Sequence, residues 1–294
     1  MQQAGVSEPI PLTAVTWIGA LTAIFGALVA VSQTDIKRIL AYSTVSQLGY
    51  MMMGLGIGGV AVGMFHLLTH AFFKALLFLG SGSIIHGCHE EQDIRRMGGL
   101  KKYMPVTFAT YAIGMMALSG VPLVFCGFWS KDEILHAAWL YQPSKIPFFL
   151  GLGGAFLTAF YMTRQMCFVF AGQSRAGILP ADATDAGHTG HDDHAANKEG
   201  RAGSSPYVPH ESPAVMTVPL QILAACTVLL TLLSTPLWPW LPEYLVGEAA
   251  HWSPGKLFNA GTLTLLLVSA VVVGAGIGLG WWFYGLLPAE KPDE

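Results

Sequence analysis

The chain has 294 residues, of which 53% are hydrophobic and only 11% charged, with a formal net charge of −3. A soluble domain carries about a quarter charged residues, and here the charges are segregated, leaving long stretches with none or one. That balance gives no reason to expect a nucleic-acid partner, and four scattered cysteines without a C-x-x-C pair argue against an iron–sulfur or structural zinc site. The first ten residues lack the basic start of a signal peptide, so targeting is left to the membrane segments themselves.

A bilayer core roughly 30 Å thick takes roughly 20 apolar residues per helix. On that scale the sequence predicts spans at 12–32, 38–57, 59–86, 104–142, 148–172, 213–241 and 257–287. They are rich in Leu, Ala, Gly, Met and Phe with little period-2 alternation, which favours helices over a barrel. The expected fold class is an all-α, polytopic transmembrane helix bundle.

The first connector, Gln33-Thr34-Asp35-Ile36-Lys37-Arg38, puts Lys37 near a membrane face, where it reads equally as a topology signal or a functional lysine. The helix after it carries Ser43, Thr44, Ser46, Gln47 and Tyr50, a polar side suited to a water-lined interior or to interhelical hydrogen bonds. In 59–86, His66, His70 and Lys74 fall at i, i+4 and i+8, which stacks them on one helix face about 6 Å apart. Ser81 continues the stripe. Lys74 lies about 18 Å along the helix from either end, too far for easy snorkelling. Burying a lysine there costs about 2.5–3.5 kcal/mol. An amine that loses its hydration can exchange a proton in turnover, and histidine titrates near neutrality, so the row resembles a proton relay. The alternative is a static polar seam.

At 39 residues, 104–142 is too long for one plain span, since an unbroken helix would run about 58 Å. Ser119-Gly120-Val121-Pro122 supplies a stop, Gly127 is expected in the connector, and Ser130-Lys131-Asp132-Glu133 has the form of a capping box starting a second helix at Ser130. One broken transmembrane helix is therefore expected, a feature that in transporters frequently marks ion sites. Lys131 sits at that break, as a titratable site or as one half of an ion pair. With this segment crossing once and the first residues outside, the inner side holds Lys37, Arg38, Arg95, Arg96, Lys101, Lys102, Arg164, Arg175, Lys198, Arg201 and Lys291. The outer side holds only Lys145 and Lys256, a strong positive-inside bias. Residues 173–212 turn to Gly, Ala, Asp, His and Ser and read as a polar cytoplasmic loop. Its His188, His191, His194, Asp192 and Asp193 are expected to be solvated, with no metal. The spans 213–241 and 257–287 show no chemistry.

The run Thr34–Met51, the run His66–Ser83 and Phe128-Trp129-Ser130-Lys131-Asp132-Glu133-Ile134-Leu135 resemble the antiporter-like subunits of respiratory complex I, the last of them the subunit L branch in particular. His210-Glu211-Ser212-Pro213 followed by Met216-Thr217 is a weaker match. The resemblance spans roughly residues 12–240. It implies that 12–172 form one five-helix repeat, the second of an inverted pair, after a short outer segment 1–11. The loop 173–212, two further helices in 213–287 and a tail 288–294 follow. It implies Lys74 as central proton carrier with His66 and His70 beside it, Lys131 as the broken-helix lysine and Lys37 as part of a connecting polar axis.

It also implies proton translocation driven by quinone reduction in other subunits of a bacterial inner-membrane NADH:quinone oxidoreductase. No cofactor is expected in this chain; NADH, flavin, iron–sulfur clusters and quinone belong to partner subunits. Further expected partners are other complex I membrane subunits, the lipid bilayer, and a chain or segment supplying the first repeat, because family members are about twice as long. The other readings are the large subunit of a multisubunit cation/proton antiporter or membrane-bound hydrogenase, and a structural scaffold.

Overall fold

The structure, a computed structural model, describes residues 10–122, 124–171, 209–233, 240–247 and 260–286. Among these the chain is helical and holds no strand: α1 (Ile10–Ser32), α2 (Ile36–Gly56), α3 (Val60–Gly87), α4 (Pro105–Ser119), α5 (Cys126–Leu140), α6 (Ile146–Phe170), α7 (Ala214–Leu233), α8 (Trp240–Val246) and α9 (Ala260–Trp281), the last running into a π turn over Trp282–Leu286. Helices α1, α3, α6, α7 and α9 each have the length and apolar composition to cross a membrane. The histidines and aspartates singled out between 188 and 194 lie outside the described residues.

Helix ends follow local chemistry. Asp35 adopts an extended backbone and its carboxylate accepts from the N–H groups of Lys37 and Arg38 at 2.8 and 3.0 Å, which starts α2 at Ile36. Proline stands in the first turn of α4 and of α6, where its missing N–H costs nothing. Gly120, at φ +76°, closes α4 in the left-handed conformation that glycine tolerates best. The broken segment is thus two helices, as its length requires, but the second begins at Cys126 rather than Ser130. The reason is tertiary. Phe125 supplies an extended cap without any side-chain bond, and Gly127 lies inside α5, not in the connector, where α5 meets α4 so closely that a Cβ would stand 1.9 Å from the Ala117 oxygen. Within the expected span 213–241, the described residues form α7 up to Leu233 and α8 from Trp240; residues 234–239, which include Pro236 and Pro239, lie outside the described residues.

Helices α1 and α2 pack backbone to backbone. Gly19 and Gly26 of α1 face Met53 and Ser46, Gly49 and Gly56 of α2 face Ala23 and Thr16, and a Cβ on any of the four would approach backbone within 2.3–2.6 Å. Small residues let helices come this close in lipid, where dispersion rather than water exclusion drives association. Helix α6 lies against α1 and α9, and α7 against α3 and α4. At one end of the bundle, Asp35 and Asp93 form a short antiparallel bridge, with Ile36 N–H donating to Gln92 and Ile94 N–H to Thr34. That joins the α1–α2 turn to the α3–α4 connector. Arg164, counted by sequence among the inner-side cations of the span 148–172, is buried in α6, where it donates to the carbonyls of Val31 and Gln33 and lies against the Phe168 and Tyr284 rings.

Candidate functional site

Helix α3 presents His66, His70 and Lys74 on successive turns, all buried, with Lys74 midway along its 28 residues. The Lys74 ammonium donates to the Leu40 carbonyl of α2 at 2.8 Å and to the Ser43 hydroxyl, and stands 5.5 Å from the Phe78 ring. His66 is held at both nitrogens, Nδ1 by the Ser130 hydroxyl at 2.8 Å and Nε2 by Gln47 Oε1 at 3.1 Å. Each ring nitrogen of His66 thus has a hydrogen-bond partner, and the tautomer sets which of the two donates. Thr69 Oγ1 lies 3.1 Å from Ser130 Oγ. The His66 and His70 rings are 6.3 Å apart, and His70 Nε2 has no hydrogen-bond partner among the described residues.

On α5, Ser130 and Lys131 face this row. The expected capping box does not form: Ser130 is one turn inside the helix and its hydroxyl binds His66. The Lys131 ammonium donates to the Leu118 carbonyl at 2.5 Å and lies 5.7 Å from the Tyr50 ring, whose hydroxyl donates to the Gly151 carbonyl. Leu118 belongs to the last turn of α4, where the carbonyls have no helical partner and the helix dipole is negative. Lys131 therefore fills the end of the broken helix. Asp132 points elsewhere and accepts from Ser269 of α9 at 2.6 Å. Among the described residues neither buried lysine meets a carboxylate; the ion pairs found are Arg95–Asp93 and Arg96–Glu91, in the α3–α4 connector.

Lys37 stands apart. It is exposed in the first turn of α2, at the same end of the bundle as Asp93, whereas Lys74, His66, His70 and Lys131 are brought together. At that end, partial burial works against ionisation of Asp93, but hydrogen bonds and charge from Arg95, with Arg96 beside it, outweigh this and lower its carboxyl below the ordinary value. Ser81 is buried in the stripe but donates only to Phe78 of its own helix.

Sequence reasoning missed four partners. The Leu40 and Leu118 carbonyls are backbone groups and leave no trace in residue identity. Ser269 is one of three hydroxyl residues of α9, with Thr262 and Thr264, and nothing in their spacing singles it out. The fourth is Glu211, noted only as part of a motif: its carboxylate accepts from Val106 N–H at 2.8 Å and Thr107 Oγ1 at 2.5 Å, capping α4, while Ser212 and Ser83 bond at 2.7 Å. No three His, Cys, Asp or Glu side chains converge to hold a metal among the described residues.

A polytopic bundle with a broken helix, a buried amine at the break and a second buried amine beside two stacked histidines defines a class of membrane protein built around intramembrane ionisable groups. A family profile described as "NADH:quinone oxidoreductase/Mrp antiporter, TM" matches residues 3–158, and the chain belongs to that family. NAD(P)H-quinone oxidoreductase chain 5 of Picosynechococcus sp. is 45% identical over 282 residues, covering 92% of this chain and 40% of the relative. NADH-quinone oxidoreductase subunit L of Neisseria meningitidis serogroup B is 48% identical over 74% of this chain and 31% of its own. Subunit L of Mycobacterium tuberculosis is 42% identical over 96% and 41%. The chain thus spans less than half the length of these relatives. Among solved structures, a chain of the Mrp complex from Dietzia sp. shares the fold with a TM-score of 0.61 at 22% identity, over 91% of this chain and 49% of that one.

Proposed function

We propose that this chain is the part of an antiporter-like, subunit L-type membrane component of NADH:quinone oxidoreductase that carries protons along Lys74, His70, His66 and Lys131, driven by quinone reduction in partner subunits. The observation that carries the reading is the pair of buried amines, each bonded to neutral oxygens and neither neutralised by a carboxylate. A structural seam has no need of cations, which are costly at this depth; a carrier of protons does. A lysine without a counter-ion can release its proton without stranding a buried negative charge.

In the resting arrangement Lys74 holds a proton against Leu40 and Ser43. His70, one turn away with Nε2 open, is placed to take part in transfer toward His66. His66 lies between His70 and Ser130, and an imidazole can take a proton at one nitrogen while releasing one from the other, the two-sided chemistry that suits it to a relay. Lys131 is adjacent in sequence to Ser130 and ends the line at the α4 terminus. Lys37, at the exposed cationic end, serves in this reading to connect the line to a neighbouring repeat. The unit 12–172, the loop 173–212 and the helices of 213–287 are the proposed divisions. The proposed setting is the bacterial inner membrane with the cationic end in the cytoplasm, alongside other complex I membrane subunits and the chain or segment that supplies a first repeat. NADH, flavin, iron–sulfur clusters and quinone are assigned to partners.

The test is Lys74→Met in the assembled complex, with NADH oxidation and proton uptake followed together in sealed vesicles. Proton transport is expected to be lost. Undiminished transport would overturn the relay and leave the scaffold reading. Transport that persists without NADH or quinone would move the chain to a multisubunit cation/proton antiporter.

A further inference from the structure

Where α2 meets the row on α3, one contact carries an atom more than it uses. Gln47 and His66 are both fully buried. The Gln47 carboxamide presents Oε1 to His66 Nε2 at 3.1 Å, while its own Nε2 has no hydrogen-bond partner among the described residues. A buried donor left unpaired is rare, because burial removes a water bond that nothing replaces. A side chain wanted only as an acceptor has no use for it.

The unpaired atom also means that His66 alone holds the amide in its orientation. The last torsion of glutamine is broad and roughly two-fold, so a half-turn exchanges Oε1 for Nε2 at little cost. The ring then meets a donor in place of an acceptor, and one amide atom is unpaired as before. Ser130, at the other ring nitrogen, is equally reversible. Its hydroxyl can donate to Nδ1 or accept from it, with Thr69 Oγ1 at 3.1 Å and the Gly127 carbonyl at 3.5 Å to receive the hydroxyl proton.

The ring itself is confined, with the Tyr50, His70 and Phe73 rings 6.4, 6.3 and 6.4 Å from it. An imidazole that takes a proton at one nitrogen and gives one up at the other ends in the opposite tautomer. Either the ring turns over, breaking both of its bonds, or its partners change roles around it. An amide oxygen is too weak a base to take the proton of Nε2, so it has to give way before that nitrogen can exchange.

We propose that Gln47 is a tautomer-following clamp, whose amide accepts from His66 Nε2 when that nitrogen is protonated and half-turns to donate to it when it is bare. The ring then serves both tautomers without leaving its seat. Gln47 exchanges no proton and is a positioning residue. The inference deepens the relay reading of His66 given above and rests on it.

The experiment follows proton uptake per NADH oxidised by the assembled complex in sealed vesicles, from mildly acid to mildly alkaline pH. The parent is run at each pH to account for His70, Lys131 and Tyr50, the titratable groups around His66. NADH oxidation in uncoupled membranes shows that each variant has assembled. Gln47→Met, of similar length but without donor or acceptor, is expected to lose most of its uptake at every pH. Gln47→Glu keeps the shape of the amide but only accepts while ionised. Its uptake is expected to fall several-fold when the new carboxyl is ionised and to return as it protonates, followed by the infrared carbonyl band that the parent lacks. Full uptake with the carboxyl ionised would show that an acceptor suffices, and lost uptake with it protonated would leave only packing. Either overturns the inference, as does Gln47→Met equal to the parent. Lys74→Met separates the two levels. If it too transports normally, the relay reading has failed; transport lost there but indifferent to the amide removes the role of Gln47 alone.

Discussion

Two helix contacts in this bundle are built on opposite plans. Between α1 and α2 the surfaces are reduced to glycine and alanine, and backbone meets backbone with one polar bond, Ser46 to the Ala23 carbonyl at 2.7 Å. Where α3 meets α2 and α5, the surfaces carry lysine, histidine, serine and glutamine, and five side-chain hydrogen bonds join different helices beside apolar contacts such as Phe65 with Phe128. The first contact tolerates no added atom and offers no chemistry. The second accepts the cost of buried cations and gains groups that can change their charge. Close packing on one side gives α2 the fixed position from which it presents Leu40, Ser43 and Gln47 on the other.

The comparison can be broken most severely at the glycines. Gly49→Leu would drive a side chain into the Ala23 backbone, and overpacking of this kind costs about 3 kcal/mol or more. The complex should fail to assemble, or melt far below the parent in detergent; a normal melting curve would show that α1 can move aside. Next comes Lys74→Met, expected to abolish transport while leaving thermal stability unchanged or raised, because it removes a buried charge without opening a cavity. A large loss of stability instead would make Lys74 a structural post. Ser130→Ala should cost about 1–3 kcal/mol by stranding His66 Nδ1, and should slow proton transfer while NADH oxidation in uncoupled membranes persists.

The smallest effect belongs to the connector. Asp93 has its carboxyl lowered in the folded chain, so its contribution is fully present above the unfolded value near 3.8 and drains away as pH falls through the lower folded value. Asp93→Asn should therefore weaken the protein at neutral pH by no more than about 1 kcal/mol, as for other partly exposed ion pairs, and by nothing once the pH is well below the lowered folded value. A difference that grows on acidification would reverse that sign.

Much of this was legible beforehand for physical reasons. Apolar runs of membrane length located α1, α2, α3 and α6 to within about two residues, the usual play in helix ends. The i, i+4, i+8 spacing put His66, His70 and Lys74 on one face because helical geometry leaves no other option. The stop at Gly120 was visible because glycine is the residue that ends a helix left-handed. What the residues did not show was set by the far side of each contact. Ser130-Lys131-Asp132-Glu133 has the local form of a helix start, but His66 competes for the serine and Ser269 for the aspartate, so the pattern sits inside α5. Arg164 reads only as an inner-side cation of its span until the carbonyls of Val31 and Gln33 are placed beside it.

The bond from Lys131 to Leu118 has a mechanical side. An ammonium donates a charge-assisted bond, about twice as strong as that of a neutral amine. The final turn of α4 is thus pinned firmly while the lysine is charged and loosely when it is not. Any event that discharges Lys131 also loosens the tip of a helix whose other end is anchored by Glu211. Charge at one atom is converted there into slack in the polypeptide, and the slack falls at the joint where α4 gives way to α5.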